Sequence, residues 1–253
     1  MTARLAHIRR HPIKSVGGEG LDHVTLSAAR RLPGDREWAV LTEAGEHQVA
    51  QSGGGGEPDH WLPKTCFVRG VAEPSLQAIE GGWQDGRLRL THPDRPTLTF
   101  DPQTQGDEAV AWLRPLWSAD RAAPTRLVRG VGIWTDVQPP WMSILSLSSL
   151  AALEDRLGRP LGLRRWRANL WVEGWPAFAE LDMIGQILTI GPVELRVTRR
   201  IGRCAATSAD TTTGRIDGDM PHDLQALFGH RDFGIYAEVV NGGTIGIGDA
   251  VSR

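Results

Sequence analysis

Cysteine is scarce in this chain, with two residues, Cys66 and Cys204, among 253. Two thiols exclude a disulfide framework and a four-cysteine zinc site. A single Cys66–Cys204 bridge stays open, although a reducing compartment disfavours it. Long apolar runs are missing too. No stretch approaches the ~18 to 20 apolar residues that a membrane helix needs. The opening MTARLAHIRRHPIKS has no signal-peptide apolar core. A cytoplasmic chain with no membrane contact is therefore expected. Net charge is small as well: a formal value of -2 provides no electrostatic footprint for nucleic acid, so no nucleic-acid partner is expected. Tyrosine occurs once against ten tryptophans, and we have no physical account of that imbalance.

What is abundant is glycine (30) and proline (16), which favours short strands and turns over long helices. Strands are predicted over 5–10, 21–26, 38–42, 65–71, 142–147 and 186–190, and from Val193 into the cysteine stretch. A hairpin turn is read at Ala44-Gly45 and another at Asn241-Gly242. Cys66, between apolar neighbours, reads as core, and Asp35-Arg36 as an exposed ion pair of small energetic consequence. QSGGGGEPD, residues 51–59, reads as a flexible loop without P-loop spacing. A short helix is predicted over 106–117 with Asp107 as N-cap, and the clearest helix follows Ser148 or Ser149, with Leu150, Leu153 and Leu157 as its stripe and Gly158 as its stop. Residues 221–228 read as a small helical turn. SADRAAPT reads as a linker, dividing the chain into 1–121 and 122–253. Strands outnumber helices and are scattered, so no βαβ parallel sheet is expected. The fold class is mainly β (α+β), a β-barrel with short covering helices preceded by a smaller N-terminal β-barrel domain.

The chemistry concentrates in VTRRIGRCAATSADTTTG, residues 197–214, where Arg199, Arg200 and Arg203 accompany Cys204. Cationic neighbours lower a thiol's pKa, and the thiolate is both nucleophile and metal ligand. Arginine forks also bind phosphate. A free cysteine can equally be a small buried hydrophobe, and both readings stay open on these residues alone. His222 and His230 lie nearby in sequence, without a Cys-His signature of a hydrolase.

ILSLSSLAALEDRLG, RRWRANLWVEG, PAFAELDMIGQILTIG, RRIGRCAATSADTTTG and IYAEVVNGGTIGIGD, in that order, resemble the MOSC domain. HPIKS and LPGDREWAVLTEAG resemble the N-terminal β-barrel domain that precedes many MOSC domains. The layout is similar to that of the amidoxime-reducing components and their bacterial counterparts. The resemblance implies a molybdenum cofactor (molybdopterin with Mo) and a two-electron reduction of small N-hydroxylated or N-oxide compounds with loss of water. Carried over, Cys204 is the metal ligand, preceded by Arg203, and Thr207, Asp210, Thr213 and Gly214 answer the rest of its motif. Arg167 and Asn169 reach the cofactor, while Lys14, Ser15 and Arg36 grip its phosphate. Asp182 falls at an acidic position that holds water or relays a proton. Each has a plainer reading: Arg167 as a snorkelling side chain beside tryptophans, Asn169 as a partner for backbone groups, Lys14-Ser15 as a solvated turn.

Two departures from the resemblance stand out. QSGGGGEPDH occupies a region that is basic and proline-containing in relatives and borders their substrate entrance, and Ala168 follows Arg167 where many relatives have proline. No cysteine-rich segment follows the domain, so electrons are expected from a separate ferredoxin, flavodoxin or cytochrome-type protein with its reductase. The alternatives are a sulfur carrier or cofactor-handling protein with a Cys204 persulfide, or a non-catalytic binding module.

Overall fold

The computed structural model describes residues 2–51, 58, 60–130 and 134–253, so the expected glycine loop lies almost wholly outside the described residues. In chain order the elements are β1 (Arg4–Arg10), β2 (Glu19–Leu21), β3 (His23–Leu26), β4 (Trp38–Thr42), α1 (Glu43–Gln51), β5 (Glu80–Gln84), β6 (Arg87–His92), β7 (Arg95–Phe100), α2 (Gly106–Leu113) and β8 (Pro124–Arg129). They continue with β9 (Met142–Ser146), α3 (Leu147–Leu157), β10 (Leu170–Glu173), β11 (Ile187–Ile190), β12 (Val193–Gly202), α4 (Met220–Phe228), β13 (Asp232–Asn241), β14 (Gly243–Gly246) and β15 (Val251–Ser252). Among the described residues the chain is mainly β with short helices, as expected, and α1 is a helix beyond those predicted.

An eight-stranded sheet runs in the order β15-β11-β12-β13-β9-β10-β1-β2. Its inward face follows the period of two: Val193, Leu195 and Val197 on β12 are buried between exposed neighbours. They join Leu5, Ile8, Ile144, Ile235 and Ala237 in one apolar cluster. Smaller sheets β5-β6-β7 and β4-β8 close around a second cluster containing Trp38, Leu88, Phe100 and Trp112. β1 sits inside the large sheet, on β10, although most of that sheet comes from residues beyond 142. The chain leaving β1 then bridges to Trp38 and Gly81 of the smaller sheets. That turn, residues 11–18, is where the two lobes join.

Several expectations are corrected. β9 and β10 are parallel, so one β-α-β unit does occur. Its helix α3 is capped by Ser146, whose Oγ accepts from the Ser149 N–H at 3.3 Å, rather than by Ser148 or Ser149; Gly158 ends it at φ 66°, as read. No hairpin forms at Ala44-Gly45: α1 begins there, with Glu43 and Glu46 in its first turn favoured by the helix dipole. β4 pairs with distant β8 instead. Residues 65–71 are not a strand but a 3₁₀ turn at Lys64–Cys66 followed by a single bridge from Phe67 to Leu41. The segment 21–26 breaks at Asp22, β2 pairing with β1 and β3 with β14. β14 thus pairs with β3 and not with β13, which lies between β12 and β9, so no hairpin forms at Asn241-Gly242. α2 has Gln105, not Asp107, at its N-cap, and Pro115 lies in a following 3₁₀ turn. Residues 220–228 form a full helix capped by Asp219. None of the described helices is long and apolar enough to cross a membrane.

Candidate cofactor site

A cavity of about 340 Å³ opens where the turn after β1, the ends of β12 and β13 and the segment before β9 converge. That volume suits a small organic ligand. Its wall carries seven cationic side chains (Lys14, Lys64, Arg36, Arg69, Arg165, Arg167, Arg203) and two carboxylates (Asp35, Asp136). Among the described residues, Arg165 is the one of these whose charge is met from outside the lining, by Asp217 at 2.6 Å. A desolvated excess of positive charge selects an anionic ligand.

Cys204 leaves the end of β12 and lines this cavity. Its thiol is exposed and Cys66 is buried, so the two cysteines separate as the sequence suggested. The backbone around Cys204 is tied down. Thr207 donates from both its N–H (3.0 Å) and Oγ1 (2.8 Å) to the Cys204 carbonyl. The Arg203 guanidinium donates to the Phe233 and Trp166 carbonyls and lies over both rings. Burial lowers that guanidinium to about 10, well short of losing its charge at neutral pH. Arg203 and Thr207 thus position the cysteine loop; their recorded bonds go to protein rather than to the cavity. Asp210 closes an Asx turn with the Thr212 and Thr213 N–H groups, so this part of the motif shapes the backbone.

Lys14, Ser15 and Arg36 come together on the opposite side in sequence. Ser15 (φ 62°), Arg36 (φ 52°) and Arg167 (φ 48°) are three of six non-glycine residues with positive φ among those described. Left-handed backbone costs a side-chain-bearing residue roughly 1 to 3 kcal/mol and gathers at ligand sites. Dense backbone bonding sustains it: Arg36 N–H to His11 O at 2.6 Å, Lys14 N–H to Trp38 O at 2.8 Å and Trp134 N–H to Arg36 O at 3.1 Å. Arg36 donates from Nη2 to the Arg167 carbonyl at 2.9 Å, and Arg167 donates to Gly17 O (2.6 Å) and Ile13 O (3.2 Å). Burial, then the Arg36 charge, pulls Arg167 down to about 9. Gly17 itself must be glycine, for a Cβ would stand 2.6 Å from the Gly81 carbonyl at φ 62°.

Asp35 is buried, correcting its reading as an exposed pair partner. It accepts from the His11 N–H at 2.7 Å and pairs with Arg36. Burial would raise its carboxyl, but Arg36 and His11 together hold it well below the usual carboxylate range. Asn169 is buried and links three strands: Oδ1 accepts from Ser143 N–H and Oγ, and Nδ2 donates to Arg9 O. These bonds leave one amide hydrogen for a ligand. Asp182 is corrected most clearly. It does not line the cavity; its side chain is 83% exposed and pairs with Arg200. Sequence reading also missed Asp136, Trp141 and Tyr236, which line the cavity without any local motif. Trp141 and Tyr236 form an apolar wall with ring centroids 5.9 Å apart.

Residues 141–252 match the MOSC domain and residues 2–121 the MOSC N-terminal beta barrel domain. The chain belongs to the MOSC family, with both domains present. It is similar to mitochondrial amidoxime-reducing component 1 of Mus musculus, 26% identical over 98% of this chain and 81% of that one. Mitochondrial amidoxime reducing component 2 of Bos taurus is 26% identical over 95% and 80%. Among solved structures, the YUAD protein from Bacillus subtilis covers 99% of this chain and 94% of its own at TM-score 0.47 and 14% identity.

Proposed function

We propose that this cavity holds a molybdenum cofactor through the Cys204 thiolate and that the protein reduces small N-hydroxylated or N-oxide compounds, drawing electrons from a separate redox protein. One observation carries the reading: an exposed thiol shares a cavity with an excess of positive charge, most of it buried or half-buried. Molybdenum is held by sulfur donors, and a phosphate-bearing pterin brings the anion that the wall wants. The residues present fit such a group. No cluster of three or more His, Cys, Asp or Glu that could hold a metal occurs among the described residues, so the protein would offer one thiolate and the cofactor the remaining donors.

Lys14, Ser15 and Arg36 would hold the phosphate, with Arg167 fixing the turn they stand on and the spare Asn169 amide hydrogen adding a donor. Arg203 and Thr207 hold the Cys204 backbone so that the thiol faces the cavity. Trp141 and Tyr236 give an organic substrate an apolar surface. The cofactor supplies two-electron redox chemistry, and the protein orients the reactants and excludes water. The similarity to amidoxime-reducing components supports the substrate class.

The test is molybdenum content with pterin fluorescence, on protein from a host that makes the cofactor, beside Cys204→Ala. Near-stoichiometric molybdenum that falls in the variant is expected. Metal-free wild type despite intact cofactor supply sinks the reading, and a persulfide on Cys204 in that protein would favour a sulfur carrier.

A further inference from the structure

We infer that Asp136 is a built-in competitor for the anion site, occupying the Lys14 ammonium until a phosphate group displaces it. The inference rests on the cavity being a phosphate-bearing cofactor site and adds how that site is kept until loaded.

Lys14 is the buried partner and Asp136 the free one. The Lys14 Nζ meets Asp136 Oδ1 at 2.5 Å, with side-chain exposures of 5% and 55%. A buried ammonium without a counter-ion is costly, so Lys14 requires an anion at all times. Asp136 provides one reached from solvent, and can rotate away at little desolvation cost of its own. Its backbone is not what would move. Arg31 pins both flanks, donating to Val137 O at 3.0 Å, to Gln138 O at 2.7 Å and to Thr135 Oγ1. Only the two side-chain torsions of Asp136 need to change. Lys64 lines the same cavity and acts on the Asp136 carboxylate, so the displaced group meets another cation. A phosphate oxygen arriving at Lys14 keeps the amine paired while gaining Ser15 and Arg36 as further donors. The exchange trades one carboxylate for a better-coordinated anion and never leaves Lys14 bare.

The test is calorimetric titration of inorganic orthophosphate into cofactor-free wild type, Asp136→Asn, Lys14→Met and the double variant, all at one ionic strength. Removing the competitor should tighten phosphate about tenfold, and the gain should vanish when Lys14 is already Met. Asp136→Ser gives a second route should the Asn variant fold poorly. Equal affinity in wild type and Asp136→Asn overturns the inference. So does a gain that persists without Lys14, since that would be the long-range field of one lost carboxylate. Orthophosphate binding by none of the proteins overturns the phosphate reading of the cavity itself. The latch alone fails if wild type and Asp136→Asn bind equally well.

Discussion

His11 should make the protein lose stability on mild acidification, and His11→Phe should remove most of that loss. The ring is 2% exposed, and its Nδ1 stands 3.4 Å from Asp35 Oδ1. Burial, then the Arg167 charge, lowers it from 6.5 to about 3. As pH falls below ~6.5 the unfolded chain takes up a proton there and the folded one does not, so stability is fully present above that pH and drains away below it. The slope approaches roughly 1 kcal/mol per pH unit, or roughly 2 kcal/mol between pH 6.5 and 4.5. Asp35 works in the same direction, but its stability is lost only as pH falls below an unfolded carboxylate's ~3.9, outside that window. His7 and His92 are lowered too, first by burial, and add a smaller, solvent-screened share. Phe keeps the ring's volume against Gly18 and gives up only the 3.4 Å approach of Nδ1 to Asp35, which still accepts from the His11 N–H and pairs with Arg36. Urea midpoints measured from pH 7 to pH 4.5 should fall steeply for wild type and shallowly for His11→Phe. Parallel slopes would refute the assignment.

Two further outcomes follow from the site. In native protein one thiol should react quickly with a disulfide reagent and Cys204→Ala should abolish that phase, leaving Cys66 to react roughly 100-fold more slowly through opening of the fold; two fast thiols would contradict the packing of Cys66. Arg167→Met strands the Gly17 carbonyl and leaves Ile13 O with the Val16 N–H at 3.3 Å, and should lower unfolding free energy by about 2 kcal/mol. Arg167→Lys should recover only part of it, because an ammonium lacks the planar fork; an unchanged urea midpoint in Arg167→Met would show that the clamp carries no stability.

The chain's own pattern already determined what local rules can reach. Alternation along β12, the stop of α3 at Gly158, the core placement of Cys66 and the cysteine–arginine stretch were all legible, because periodicity and capping act over a few residues. Pairing was not. β4 runs beside β8 more than eighty residues away and β14 beside β3 more than two hundred away, so plausible turns at Ala44-Gly45 and Asn241-Gly242 closed no hairpin. The same holds at the site. Lys14, Ser15, Arg36, Arg167 and Cys204 were identifiable by motif and line one cavity, but only the folded chain shows Arg167 spent on two carbonyls, Asp182 turned to solvent and Asp136 set against Lys14. Residue type announces which chemistry a side chain can do. Burial and the partners that folding supplies decide which of those bonds it makes, because an unpaired buried charge is too costly to leave standing.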